Sequence, residues 1–158
     1  MLDATPRGLF SWGFTVHRGG DAVAEIDPSW LGESAEIRSG GQTYSAYRES
    51  MLAGTFVLRS GEQVLARAQK VSAFVRAFDI DLAGRPLELK ATSVWSREFG
   101  LFEGGVQVGR IGPAGWFGRR AVIDLPPDIP LPAQLFLFWL VLVLWRRAAG
   151  SAAGAAGS

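Results

Sequence analysis

Cysteine is absent from this chain, and histidine occurs once, at His17. The first absence excludes disulfides, thiolate metal sites and cysteine nucleophiles together, and it suits a reducing compartment. A single histidine leaves the common zinc donor sets and any histidine pair incomplete. It could serve a Ser-His-Asp triad, but no G-x-S-x-G elbow accompanies it, so His17 reads as a surface or strand-end residue. Excess charge of either sign is missing as well: 16 Lys and Arg stand against 15 Asp and Glu. That near balance argues against a nucleic-acid-binding surface. The glycine-rich stretch Gly104 to Gly115 has neither the Lys-Ser/Thr of a P-loop nor a helix after it, so its glycines read as turns. The first residues, MLDATPRGLFSWGF, lack a basic start followed by an apolar run, and the expected address is cytoplasmic.

What the chain does have is short alternation. From Phe14 to Leu125, apolar and polar residues exchange places in brief runs broken by glycine or polar turns about every ten residues, the pattern of an all-β meander, sandwich or barrel. Strands are expected at 13–17, 22–26, 34–39, 43–48, 54–59, 63–71, 73–82, 87–95, 98–102, 106–111 and 119–125. The clearest alternation puts Phe74, Arg76, Phe78, Ile80 and Leu82 on one face against Val75, Ala77, Asp79 and Asp81. Leu87, Leu89, Ala91 and Trp95 form the core face of the next strand, joined as a hairpin through Gly84-Arg85-Pro86. Asp79 and Asp81 share a face and could hold a divalent ion, though alternation with Phe78, Ile80 and Leu82 makes solvent contact the simpler reading.

So many strands in a chain of 158 residues leave an edge problem, which closure into a barrel removes. A barrel of ten or more strands is too wide for its own side chains to fill. The run from Leu131 to Trp145 supplies an occupant. It is uncharged, apolar all round and closed by Arg146 and Arg147, as an interior helix must be. As a membrane span it is short: fifteen residues make a helix of about 22 Å against a hydrocarbon core of roughly 30 Å. The Pro-rich Asp124-Leu-Pro-Pro-Asp-Ile-Pro130 leads into it and forbids helix or central strand there. The expected fold is thus all-β: a closed antiparallel barrel of about 10–12 short strands around a central hydrophobic C-terminal helix. The expected division is a lead-in over residues 1–8, one barrel domain over 9–147 with its helix at 131–147, and a disordered Ala/Gly/Ser tail at 148–158.

This order of many short strands, a Pro-rich exit and a last hydrophobic helix resembles the superfamily of tubby C-terminal domains, phospholipid scramblases and LURP-one-related proteins. The likeness is strongest at Val106-Gln-Val-Gly109-Arg-Ile, similar to the family's late strand pair. Asp124-Leu-Pro and Pro130-Leu-Pro-Ala-Gln134-Leu-Phe136 resemble its approach to the central helix. The resemblance implies a barrel threaded by its C-terminal helix and a non-enzymatic role at membranes, where tubby domains bind phosphoinositide headgroups. Scramblases carry an acid-rich calcium segment before the helix. Here only Asp124 and Asp128 occupy that region, too few oxygen ligands for calcium unless other segments contribute.

The chemistry that remains is basic. Arg119 and Arg120 follow Trp116-Phe117-Gly118, and with Arg110, Arg146 and Arg147 they make the last third of the chain locally positive. Arginine forks suit phosphate, and a basic rim beside aromatic side chains suits an anionic membrane surface. The plainer reading is a solvated rim in which Arg146 and Arg147 favour the dipole at a helix C-terminus. Trp12, Trp30, Trp95 and Trp116 could serve as interfacial anchors or as ordinary packing. No acid, base and nucleophile set assembles, and no cofactor is implied. The function expected is a membrane-peripheral or regulatory module binding anionic phospholipid headgroups. Its alternatives are a tail-anchored protein with a cytoplasmic β-domain and a barrel holding a hydrophobic molecule.

Overall fold

Two kinds of connection alternate along the computed structural model, which describes residues 1–50 and 52–157. Tight two-residue turns follow every even-numbered strand up to the tenth, and loops of four to seven residues follow every odd-numbered one. The strands are β1 (Leu2–Pro6), β2 (Phe14–Arg18), β3 (Asp21–Ser29), β4 (Ser34–Ser39), β5 (Gln42–Arg48) and β6 (Thr55–Ser60). They continue with β7 (Gln63–Lys70), β8 (Ala77–Leu82), β9 (Arg85–Ala91), β10 (Phe99–Glu103), β11 (Val106–Pro113) and β12 (Ala121–Asp124). Each pairs antiparallel with its neighbour in the chain, and β1 pairs with β12 as well as β2, so the sheet closes into a twelve-stranded barrel. No edge is left to recruit another strand.

The tight turns work because of glycine. At 19–20, 40–41 and 104–105 both residues are glycines with positive φ, and at 83–84 Ala83 takes φ 50° beside Gly84 at 90°. Two positive φ values in succession are the backbone of a type I′ turn, whose twist matches that of the strands it joins.

The helix α1 (Leu131–Ala156) enters at the mouth formed by these turns and leaves among the long loops. Every residue from Ala133 to Trp145 is buried, on all sides of the helix. The wall makes room by alternating size: Ala4, Ala24, Ala35, Ala46, Ala66, Ala68 and Ala121 point inward beside Phe14, Phe56, Phe78 and Phe99. The helix aromatics pack against the large wall positions. Phe138 stands edge-on to Phe14 at 5.3 Å, and Trp139 edge-on to Phe56 at 5.7 Å, the offset geometry that aromatic quadrupoles favour. Gln134, the buried polar side chain of the core, donates through Nε2 to the carbonyl of Ile129 at 2.8 Å and so ties the helix start to the segment before it.

Three expectations are corrected. Residues 1–8 are not a lead-in, because Leu2–Pro6 is the strand that closes the barrel and Leu2 and Ala4 belong to its core. Its inward side chains are only Leu2 and the small Ala4, too weak an alternation to stand out as periodicity. Helix α1 does not stop at Arg147: residues 148–156, expected as a disordered tail, continue it into solvent. Alanine has the highest intrinsic helix propensity, and extending a formed helix adds a hydrogen bond without a new nucleus. Finally, the strands read at 73–82 and 87–95 are shorter than expected, β8 starting at Ala77 and β9 ending at Ala91. Phe74 and Trp95, assigned to the core face, are instead exposed.

Candidate functional site

The mouth from which α1 emerges carries six loops: 7–13, 30–33, 49–54, 71–76, 92–98 and 114–120. Each presents large apolar side chains to solvent. Leu9 and Phe10 stand on the first, Leu31 on the second, Leu52 on the third, Phe74 on the fourth, Val94 and Trp95 on the fifth, and Trp116 and Phe117 on the sixth. Their exposure is nearly complete, 96% for Phe10, 97% for Phe74 and 96% for Trp116. At the opposite mouth the turns at 19–20, 40–41, 61–62, 83–84 and 104–105 contain no large apolar residue. Scattered exposed hydrophobics are ordinary, whereas a set gathered on one face marks an interaction site.

These tips are held in place from below by cations that bind loop carbonyls. Arg119 donates to the carbonyls of Gly8, Leu9 and Ser11, which fixes the turn that lifts Leu9 and Phe10. Arg76 donates to Ser93, Val94 and Ser96 and shapes the loop bearing Trp95. The Lys70 ammonium donates to the carbonyls of Ser72 and Val75 beneath Phe74. Burial, with the charge of Arg147 nearby, holds Lys70 below the ordinary lysine range. Arg48 Nε donates to the carbonyl of Ala53 next to Leu52. Backbone carbonyls that would otherwise hold water are satisfied, and the apolar tips are pre-organised.

Charge follows the same asymmetry. Loops and helix end at this rim contain Arg7, Arg76, Arg97, Arg119, Arg120, Arg146 and Arg147 against Glu33, Glu49 and Glu98. All three glutamates are engaged, Glu33 by Arg48 and Arg147, Glu49 by Arg67, and Glu98 by Arg110. Arg7 pairs with Asp27 and Glu25. Among the described residues, Arg76, Arg97, Arg119, Arg120 and Arg146 make no ion pair. Arg146 lies over the Trp30 ring at 4.5 Å and the Trp12 ring at 5.8 Å, a cation–π arrangement that keeps its charge available. The turns of the opposite mouth contain no basic residue; Arg18 and Arg85 flank them, Arg85 paired with Glu103 and Asp128, and Glu62 stands there too.

Of the five arginines singled out in the sequence, four reach this rim in different roles. Arg119 braces a loop, Arg120 is exposed, Arg146 stacks on tryptophans, and Arg147 clamps Glu33 with Nε and Nη2 at 2.8 and 2.7 Å. Arg110 sits apart on the outer wall of β11, beside Glu98 and Asp124. Arg76 and Arg97 were missed because alternation assigned one to a core face and singled out no role for the other. His17 lies on β2 opposite Asp3 and near the β2–β3 turn. Asp79 and Asp81 face outward from β8, Asp81 accepting from the Gly84 amide, and no third ligating side chain joins them among the described residues.

No family model, curated protein or solved structure matches this chain. Function therefore rests on the rim itself. A cavity of about 470 Å³ opens at the other mouth between Leu58, Val64, Leu65, Leu82 and Pro132. It is apolar, with the Arg85–Asp128 ion pair at 2.8 Å on its border.

Proposed function

We propose that this protein is a non-enzymatic, membrane-peripheral module that binds anionic phospholipid surfaces through the long-loop rim. One observation carries the reading: pre-organised apolar tips and arginines without carboxylate partners share the same end of the barrel, and neither occurs in the turns at the other. Tryptophan and phenylalanine belong at the level of lipid headgroups, where an aromatic body is buried and its surroundings stay wet. Each arginine near an anionic leaflet adds about 1 kcal/mol, and burying a single Phe side chain from water contributes about 1.5–3 kcal/mol. Neither kind of contact holds a protein to a membrane alone; several together do.

Tail anchoring is the second reading. Helix α1 is long and apolar enough to cross a membrane by length and composition, with a mean hydropathy of 1.5 in its best window. Its burial speaks for the core role, since 61% of that window lies inside the barrel. Alkaline extraction separates the two, because a spanning helix stays with the membrane and a buried one does not. For the peripheral reading, the protein should sediment with anionic vesicles at low salt and leave neutral ones in the supernatant. Replacing Phe10, Trp116 and Phe117 by serine should weaken that binding. Equal recovery with neutral vesicles, or with none, overturns the proposal.

A further inference from the structure

At the centre of this rim, beside the emerging helix, is a cavity of about 270 Å³ floored by Phe14 and lined by Trp12, Trp145, Arg76, Arg97 and Arg119. It is smaller than the roughly 300–1,000 Å³ of drug-sized sites. Three guanidinium groups border it, and none forms an ion pair among the described residues. Each is spread against a ring: Arg76 over Phe99 at 5.7 Å, Arg97 over Trp145 at 4.9 Å and Arg119 over Trp12 at 5.4 Å. The Trp145 indole donates to the Arg97 carbonyl at 2.9 Å, so the helix end positions the loop that carries Arg97.

Five N–H donors belong to each guanidinium. Arg76 and Arg119 spend three apiece on loop carbonyls, which leaves the Nε–H and one Nη1–H on both. The side chain of Arg97 is exposed and spends none on the described residues. Like charges around one cavity repel, and an anion placed among them relieves that repulsion while accepting the spare donors. The planar fork of one arginine matches carboxylate and phosphate alike, but three forks around one cavity suit an anion with three terminal oxygens, which a phosphate offers and a carboxylate does not.

We propose that this cavity binds the phosphomonoester headgroup of a membrane lipid. The inference rests on the membrane reading above and narrows it to a headgroup class. A lipid is favoured over a free phosphate because the loops that supply Trp12, Arg97 and Arg119 to the cavity also carry the exposed apolar tips Phe10, Trp95 and Trp116, which a soluble anion has no use for. A phosphomonoester carries about −1.5 to −2 charge near neutral pH and three terminal oxygens, which matches three guanidinium groups better than a phosphodiester does.

The test uses the full chain and vesicles of phosphatidylcholine doped with phosphatidic acid or with phosphatidylserine, matched in surface charge. The wild type should prefer phosphatidic acid. Arg97→Gln should lower that affinity about tenfold and erase the preference, while weakening phosphatidylserine binding no more than the loss of any other rim arginine does. Arg120→Gln, on the rim but outside the cavity, should weaken both equally. Equal wild-type affinity for the two vesicles overturns the headgroup site and leaves the membrane reading standing, whereas binding to neither removes both. Inorganic phosphate is the last arm, read by Trp fluorescence: saturation at concentrations comparable to the lipid would assign the cavity to a free anion and overturn the lipid assignment.

Discussion

The two mouths of this barrel are built from the same twelve strands, yet they differ in almost every other property. One is joined by tight glycine turns in which Gly19, Gly40 and Gly104 take φ of 57–59°, two residues long as strand closure requires. The other carries six longer loops with apolar side chains held out in water by Arg48, Lys70, Arg76 and Arg119. Closure of the barrel explains the turns of the first mouth. It does not explain the second, since exposed Phe10, Leu52, Phe74 and Trp116 contribute no core burial. What the difference teaches is that core burial accounts for the turns and leaves the apolar loop tips without a folding role.

The largest effect lies between the two mouths. Trp139 sits at the middle of the buried stretch of α1, packed against Phe56 and Phe136. Trp139→Ala should cost about 3–5 kcal/mol in urea denaturation. Ending the chain at Pro130 should abolish the cooperative transition altogether, because the barrel loses the filling that its width requires. A folded, soluble truncation would show that the wall stands without its helix and would undo the account of the core.

Next in size is the division of labour between the rims. Replacing Phe10, Phe74, Trp95 and Trp116 together by serine should reduce affinity for anionic vesicles at least about a hundredfold. Stability should change by no more than about 0.5 kcal/mol per site, as for other exposed positions. Gly104→Ala with Gly105→Ala should do the reverse, costing about 1–2 kcal/mol per residue for a left-handed backbone with a Cβ while leaving vesicle binding unchanged. If both variants moved both readouts, the two ends would not be separable.

The smallest effect belongs to the wall. A hydrogen bond from Arg85 holds the Glu103 carboxyl below the usual range, and one from Arg38 does the same for Glu25. For a carboxylate whose folded value is depressed, the stabilisation is present above the unfolded value of about 4.5 and is lost as pH falls through the lower folded value. Urea midpoints should therefore fall below about pH 4.5, and Glu103→Gln should show a shallower decline than the wild type. Vesicle binding of that variant at neutral pH should be unaltered, since Glu103 is remote from the long-loop rim.

Much of this fold is legible in the chain because its signals are local. Alternation of period two marks β4 and the Phe78, Ile80 and Leu87, Leu89 pairs without reference to anything distant, and Gly-Gly dipeptides announce tight turns by their own backbone freedom. A helix apolar all round, following more strands than a barrel can fill, has few places to go but inside. What the sequence alone settled is therefore the barrel, its occupant and their order. Where a strand stops is a different matter: Phe74 and Trp95 continue the apolar rhythm of their neighbours, and only the closed sheet shows that the ladder ends before them. Nor does periodicity reveal Leu2–Pro6 as the closing strand, since its partner β12 lies more than a hundred residues away. The grouping of Arg76, Arg97 and Arg119 beside Trp12 and Trp145 is tertiary for the same reason. Their loops are far apart along the chain, and they meet because an up-and-down barrel closed on itself must deliver every second connection to the same rim.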